Sequence, residues 1–161
     1  ADKLVVMADG KVRREGPLAE ALADVKMPIE TENGASVVLS GKVSSLSSEW
    51  KTCCIDAGGW TFETPMASLA MGSQVRLRVL ARDVSIAVEK PDSISIRNRL
   101  QAEVEEIAAH LSEPAYQLVK LKCPNGEGRL VSRILRQSVT ELGLHPGSQV
   151  WALVKASAVI M

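Results

Sequence analysis

The stretch GSQV occurs twice, at Gly72–Val75 and at Gly147–Val150. Reading on without a gap, GSQVRLRVLARDVSI aligns with GSQVWALVKASAVIM at an offset of 75 residues, and Val79, Ala81 and Val84 match Val154, Ala156 and Val159. Identity at that density and at one fixed spacing marks an internal duplication. A duplication constrains the fold more tightly than composition does. Two copies are too few for a solenoid, which needs about three or more stacked repeats to bury its core. They specify one small unit built twice.

The chain divides accordingly. Residues 1–24 read as strand, turn, strand and helix: Leu4–Met7, the hairpin signal Asp9-Gly10, Lys11–Arg14, then a helix over Leu18–Ala23 opened by Gly16-Pro17. This unit buries too little to stand alone and reads as the end of something larger. Residues 25–36 carry the Pro and Asn-Gly signals of a linker. The first half, 37–90, shows five short apolar or β-branched runs at Val37–Leu46, Lys51–Ile55, Trp60–Glu63, Gln74–Val79 and Val84–Val88. After Pro91-Asp92 the second half, 91–161, repeats them at Leu100–Ile107, Gln117–Lys122, Arg129–Ile134, Gln149–Val154 and Ala158–Met161. Five strands per half with turn signals between them predict an all-β protein of tandem five-stranded barrels.

Each half is expected to carry one short helix before its GSQV. The clearer is Gln137–Leu142, stopped by Gly143 and followed by Pro146. Val104, Ile107, Ala108 and Leu111 are also spaced as one amphipathic turn of helix. A barrel of about 65 residues buries a modest share of its surface, so fused copies and a homodimer are expected on stability grounds.

Several functions are disfavoured. Charges balance at 19 Lys+Arg against 19 Asp+Glu, so the field of a general nucleic-acid binder is missing. Arg76, Arg78 and Arg82 cluster, but no aromatic interleaves them for base stacking. No apolar run approaches the roughly 20 residues of a membrane span, and no signal pattern opens the chain. Cys53, Cys54 and Cys123 have neither disulfide nor metal spacing and read as reduced structural thiols. His110 and His145 stand alone, and no HExxH, CxxC, GxSxG or P-loop motif is present, so the sequence reads as non-enzymatic.

One pair of segments suits an anion. SISIRNRL at Ser93–Leu100 puts Ser95 and Arg97 on one side of an extended chain, and Asn98 can order a turn. VKAS at Val154–Ser157 joins Lys155 to Ala156 and Ser157, small residues that let an anion reach backbone N–H groups. Two cations, hydroxyls and free amides can replace the water shell of a small tetrahedral dianion.

These segments also carry a resemblance. SISIRNRLQAEV and GRLVSRILRQSVTELGLHPGSQVWALVKASAVIM are similar to the molybdate-binding Mop (TOBE) module, with its Ser-x-Arg-Asn opening, helix-start motif, Leu-Gly-Leu-x-x-Gly and closing Lys-Ala-Ser. The tandem arrangement and the phrase ARDVSIAV resemble the regulatory domain of the molybdate importer's ATP-binding subunit. LVVMADGKVRREGPLAEAL is similar to the tail of an ABC-type ATPase domain.

The resemblance implies OB-like barrels that bind molybdate or tungstate without any other cofactor. It places Ser95, Arg97 and Asn98 on one side of the oxyanion and Lys155, Ala156 and Ser157 on the other, across a homodimer interface. It further implies a cytoplasmic protein at the inner membrane face, partnered by its own ATPase domain and by the transporter's membrane subunits. Because Walker motifs are missing from this sequence, ATP hydrolysis belongs outside it.

Three departures stand out. Ile96 sits where Ala is usual, Leu135 replaces the Thr of the helix-start motif, and the first half has Arg82-Asp83 where the second has Ser157-Ala158. One binding half and one structural half per chain are therefore expected. Two alternatives remain: a related importer module that dimerises without binding an oxyanion, and a nucleic-acid-binding OB barrel.

Overall fold

Alternation builds the strands. In Ser36–Ser47 (β3) the buried positions Val37, Leu39, Gly41 and Val43 fall every second residue, placing one face on the core. The computed structural model describes residues 35–66, 68–110 and 112–161 in full, and of the N-terminal segment only the backbone of 7–8 and 11–12. Met7–Ala8 (β1) and Lys11–Val12 (β2) pair antiparallel, as the Asp9-Gly10 signal requires. The helix expected over Leu18–Ala23 lies outside the described residues.

The first half continues as β4 (Thr52–Ala57), β5 (Trp60–Pro65), β6 (Gln74–Leu80) and β7 (Ser85–Ala87). The second supplies β8 (Asn98–Ala109), β9 (Tyr116–Lys122), β10 (Arg129–Leu135), a helix α1 (Arg136–Glu141) and β11 (Gln149–Val154). One sheet runs β5-β4-β3-β6 and the other β10-β9-β8-β11-β7, all neighbours antiparallel. This is the mostly β architecture read from the residues, OB-like as the resemblance implied, with one feature the residues did not disclose.

The halves exchange their ends. Strand β7, from the first half, pairs with β11 in the second sheet, with Leu153 opposite Ser85. In return Ile160 bridges Arg78 on β6, through an N–H···O of 2.7 Å from Arg78 and one of 3.0 Å from Ile160. Arg78 and Leu153 are repeat-equivalent, and so are Ser85 and Ile160, so one internal symmetry generates both contacts. The run expected as a strand at Ala158–Met161 is thereby reduced to a single bridge on the first sheet. Between β6 and β7, and again after β11, lie equivalent 3-10 turns at Ala81–Asp83 and Ala156–Ala158. The first packs on β10 and the second on β5.

One apolar core spans both halves, with Ile55, Phe62, Leu77, Leu121 and Leu130 fully enclosed. Polar ties cross it. Trp60 Nε1 donates to Gln101 O at 2.8 Å, and the buried Ser132 hydroxyl donates to Val84 O at 2.5 Å. The β4–β5 turn, Gly58-Gly59 at φ of 64° and 98°, lies against the β9–β10 turn, where Gly128 N donates to Gly58 O. Side chains at Gly58 or Gly128 would collide with the opposite backbone.

Helix α1 forms as expected, and Gly143 (φ 63°) takes the left-handed position that ends it. No matching helix precedes the first GSQV among the described residues. That connection runs only from Pro65 to Gln74, and it is pinned by Met66 N to Lys51 O and Gly72 N to Val43 O. The helical spacing of Val104, Ile107 and Ala108 belongs instead to strand β8. A bulge between Val104 and Glu106 inserts one residue and turns a period of two into a step of three. Strand β3 is bulged at the equivalent place, between Val43 and Ser45.

The bulge residue Glu105 meets Arg129 through Nε (3.0 Å) and Nη2 (3.3 Å), and Lys120 at 3.5 Å. Burial is the largest single influence and raises its pKa, but Arg129 and Lys120 together outweigh it, so the carboxyl is held below the ordinary glutamate range. A lowered folded pKa stabilises above the unfolded value of about 4.3, and the contribution is lost as pH falls through the folded one. Urea midpoints taken between pH 7 and pH 3 should therefore fall less steeply in Glu105→Gln than in the parent chain. Identical slopes would remove Glu105 from the acid response.

Candidate functional site

Antiparallel pairing brings the two anion-suited segments together. Asn98, the first residue of β8, lies opposite Val154, the last of β11. Arg97 therefore enters β8 at the sheet end where Lys155 leaves β11, within one chain. Ser95, Arg97, Lys155 and Ser157 are all exposed there, and Ala156 is half-buried in the 3-10 turn. Within one chain the two segments therefore already lie at the same sheet end.

The first half closes the site. Strand β5 turns Phe62 and Thr64 inward, leaving Glu63 to project the other way. Thr64 Oγ1 donates to Ala156 O at 3.4 Å, tying β5 to the turn that carries Ala156 and Ser157. Asn98 is 3% exposed, and its amide grips the Glu63 backbone: Oδ1 accepts from Glu63 N at 2.6 Å and Nδ2 donates to Glu63 O at 2.9 Å. Asn98 thus fixes one residue of β5, with both ends of its amide engaged.

Arg97 Nε donates to Glu63 Oε1 at 2.7 Å. That hydrogen bond first, and the carboxylate charge second, raise the Arg97 pKa above its ordinary value. Beside the pair opens a cavity of about 480 Å³ lined by Trp50, Thr52, Glu63, Arg97 and Ala156. Trp50 is 72% exposed at its mouth. The lining offers a guanidinium, a threonine hydroxyl and the Ala156 turn beside one carboxylate, and Lys155 and Ser157 flank Ala156 in the chain.

Glu63, Thr64, Trp50 and Thr52 were not identified from sequence. The alternation of Phe62 and Glu63 signals only that one points in and one out. No local motif links Glu63 to an arginine on the far side of the chain.

The other candidates settle into structural roles. His110 Nδ1 accepts from Ser112 N (3.3 Å) and Glu113 N (3.1 Å), shaping the β8–β9 turn. His145 Nδ1 lies 3.0 Å from Pro146 O in the turn before β11. Burial, then the neighbouring Cys54, pushes the Cys53 thiol up, away from the thiolate a nucleophile needs. Among the described residues no group of three His, Cys, Asp or Glu could hold a metal ion, and no helix is long and apolar enough to cross a membrane.

Residues 94–161, which carry Ser95 through Ser157, match the TOBE domain family. The matched stretch opens and closes on the two segments that lie at the β8–β11 end. Over 160 residues the chain is 34% identical to the molybdenum import ATP-binding protein ModC of Methylococcus capsulatus, covering 99% of this chain and 44% of that protein. It is 41% identical to the ModC of Brucella abortus, covering 99% and 42%. The chain therefore spans less than half the length of these relatives. Among solved structures it is similar to the cytoplasmic molybdate-binding protein ModG with molybdate bound. That likeness has a TM-score of 0.65 and 28% identity, and it covers 83% of this chain and 97% of ModG. It extends beyond the TOBE match into the first half.

Proposed function

We propose that this chain is the oxyanion-sensing regulatory part of a molybdate import ATP-binding protein. The observation that carries this reading is the convergence of Arg97 and Lys155 at one sheet end of a TOBE domain, beside an open cavity. Arg97 and Lys155 supply charge, Ser95 and Ser157 supply hydroxyls, and the turn at Ala156 supplies backbone N–H groups to molybdate or tungstate. Asn98 acts by holding β5 in place. Residues 1–24 belong to the tail of an ATPase domain, and 37–90 and 91–161 are the duplicated halves, the second being the binding one.

The mechanism is a shift between arrangements of a dimer. An oxyanion that binds one arrangement stabilises it by RT ln(1 + [L]/Kd), about 2.7 kcal/mol at a hundredfold excess over Kd. The attached ATPase domains, at the cytoplasmic face of the transporter's membrane subunits, are thereby held in one relative placement. Transport then responds to internal oxyanion with no chemistry in this domain.

Arg97→Ala and Lys155→Ala are each expected to weaken molybdate binding by at least about tenfold in calorimetric titration, because each removes a charge-assisted hydrogen bond. Unchanged affinity would take that residue out of the site. One observation favours a second reading, a dimerisation module without a ligand: Arg97 already has an anionic partner in Glu63. Dimerisation retained with no molybdate affinity would decide for it.

A further inference from the structure

Of the residues lining the Arg97 cavity, Glu63 is the acid, and it occupies the group that the oxyanion needs. We infer that Glu63 is an internal competitor for Arg97, a built-in carboxylate that sets the oxyanion concentration at which the site fills. The inference rests on the oxyanion reading above.

The construction is specific. Asn98 clamps the Glu63 backbone from both sides, and the next residue, Thr64, is tied to Ala156, so the backbone of Glu63 is held in place. Its side chain is 22% exposed, whereas that of Arg97 is 64% exposed. The carboxylate is therefore the sheltered, fixed member and the guanidinium the one free to turn. A dianion entering the cavity meets an arginine whose Nε is already donated. It must draw the guanidinium off Glu63, and the fixed carboxylate then faces the ligand as a like charge. Each step weakens binding without altering the residues that hold the ligand. A sensor that should stay empty at ordinary internal oxyanion levels gains a threshold in this way.

The test is calorimetric titration of the chain with sodium molybdate in four forms: parent, Glu63→Gln, Arg97→Ala and the double variant. Glu63→Gln keeps the shape of the side chain and its strand, and should tighten binding by roughly tenfold, the inverse of losing one charge-assisted contact. Glu63→Ala should act in the same direction. In the Arg97→Ala background, Glu63→Gln should gain clearly less than in the parent, because only the like-charge step remains once Arg97 is gone. A parent that binds molybdate with Glu63→Gln equal or weaker would overturn the inference alone. So would an undiminished gain in the absence of Arg97, which would reduce Glu63 to simple repulsion. Failure of both parent and Glu63→Gln to bind would overturn this inference and the oxyanion reading together. Binding by Glu63→Gln but not by the parent would support both.

Discussion

Phe62→Ala is expected to lower the unfolding free energy by about 3–5 kcal/mol, the cost of emptying a large buried site that cannot collapse. Phe62 is fully enclosed, stands opposite Ile55 across the β4–β5 pair and packs edge-on against Trp60 with centroids 6.3 Å apart. Removing it leaves a void in a core shared by both halves, so the loss should appear in a single cooperative transition. The melting temperature should fall by on the order of 10 °C. The effect reaches function as well, because β5 carries Phe62 on one face and Glu63 on the other. Weaker anchoring of β5 loosens the grip of Asn98 on Glu63 and the tie from Thr64 to Ala156. Thermal unfolding with and without molybdate measures both consequences. A change below about 1 kcal/mol would mean that the site repacks, contrary to the enclosed environment seen here.

Gly58→Ala carries the next largest cost, about 2–4 kcal/mol, and Gly143→Ala separates its causes. Both glycines have left-handed backbones, at φ of 64° and 63°. A side chain at Gly143 meets nothing within 4 Å, so that variant measures the left-handed penalty alone, about 1 kcal/mol. At Gly58 the new methyl would strike the backbone of Gly128, which also donates its N–H to Gly58 O. The excess of Gly58→Ala over Gly143→Ala in urea denaturation therefore reports how tightly the two hairpin turns, one from each half, are pressed together. Equal costs would show that the turns separate easily and that the halves are joined mainly by their exchanged ends.

Much of this architecture was legible because duplication writes the same local chemistry twice. GSQV before β6 and β11, the strand runs and Gly143 at the end of α1 all follow from turn chemistry and alternation. The exchange of ends was not legible. Ser85–Ala87 has the same strand character whichever sheet accepts it, and pairing partners are set by the whole fold. Val104–Ile107 misleads for a different reason: a bulge imitates helical spacing, and no residue type announces a bulge at Glu105. Arg97, Lys155 and Ser157, proposed to hold the oxyanion, could be named from motifs, and the strand register explains why their segments share one sheet end. Asn98 was named with them, yet its amide is spent on the Glu63 backbone, a contact between residues far apart in sequence. Glu63 itself was invisible because its meaning depends on which arginine the fold sets beside it.

The central claim is anion selectivity at the Arg97–Lys155 end of β8 and β11. Calorimetric titration of the chain with molybdate, sulfate and phosphate at equal ionic strength tests it most directly. Saturable binding of molybdate is expected, with sulfate and phosphate markedly weaker, and with the molybdate signal reduced in both Arg97→Ala and Lys155→Ala. Equal binding of the three anions, or no heat with molybdate, would contradict it.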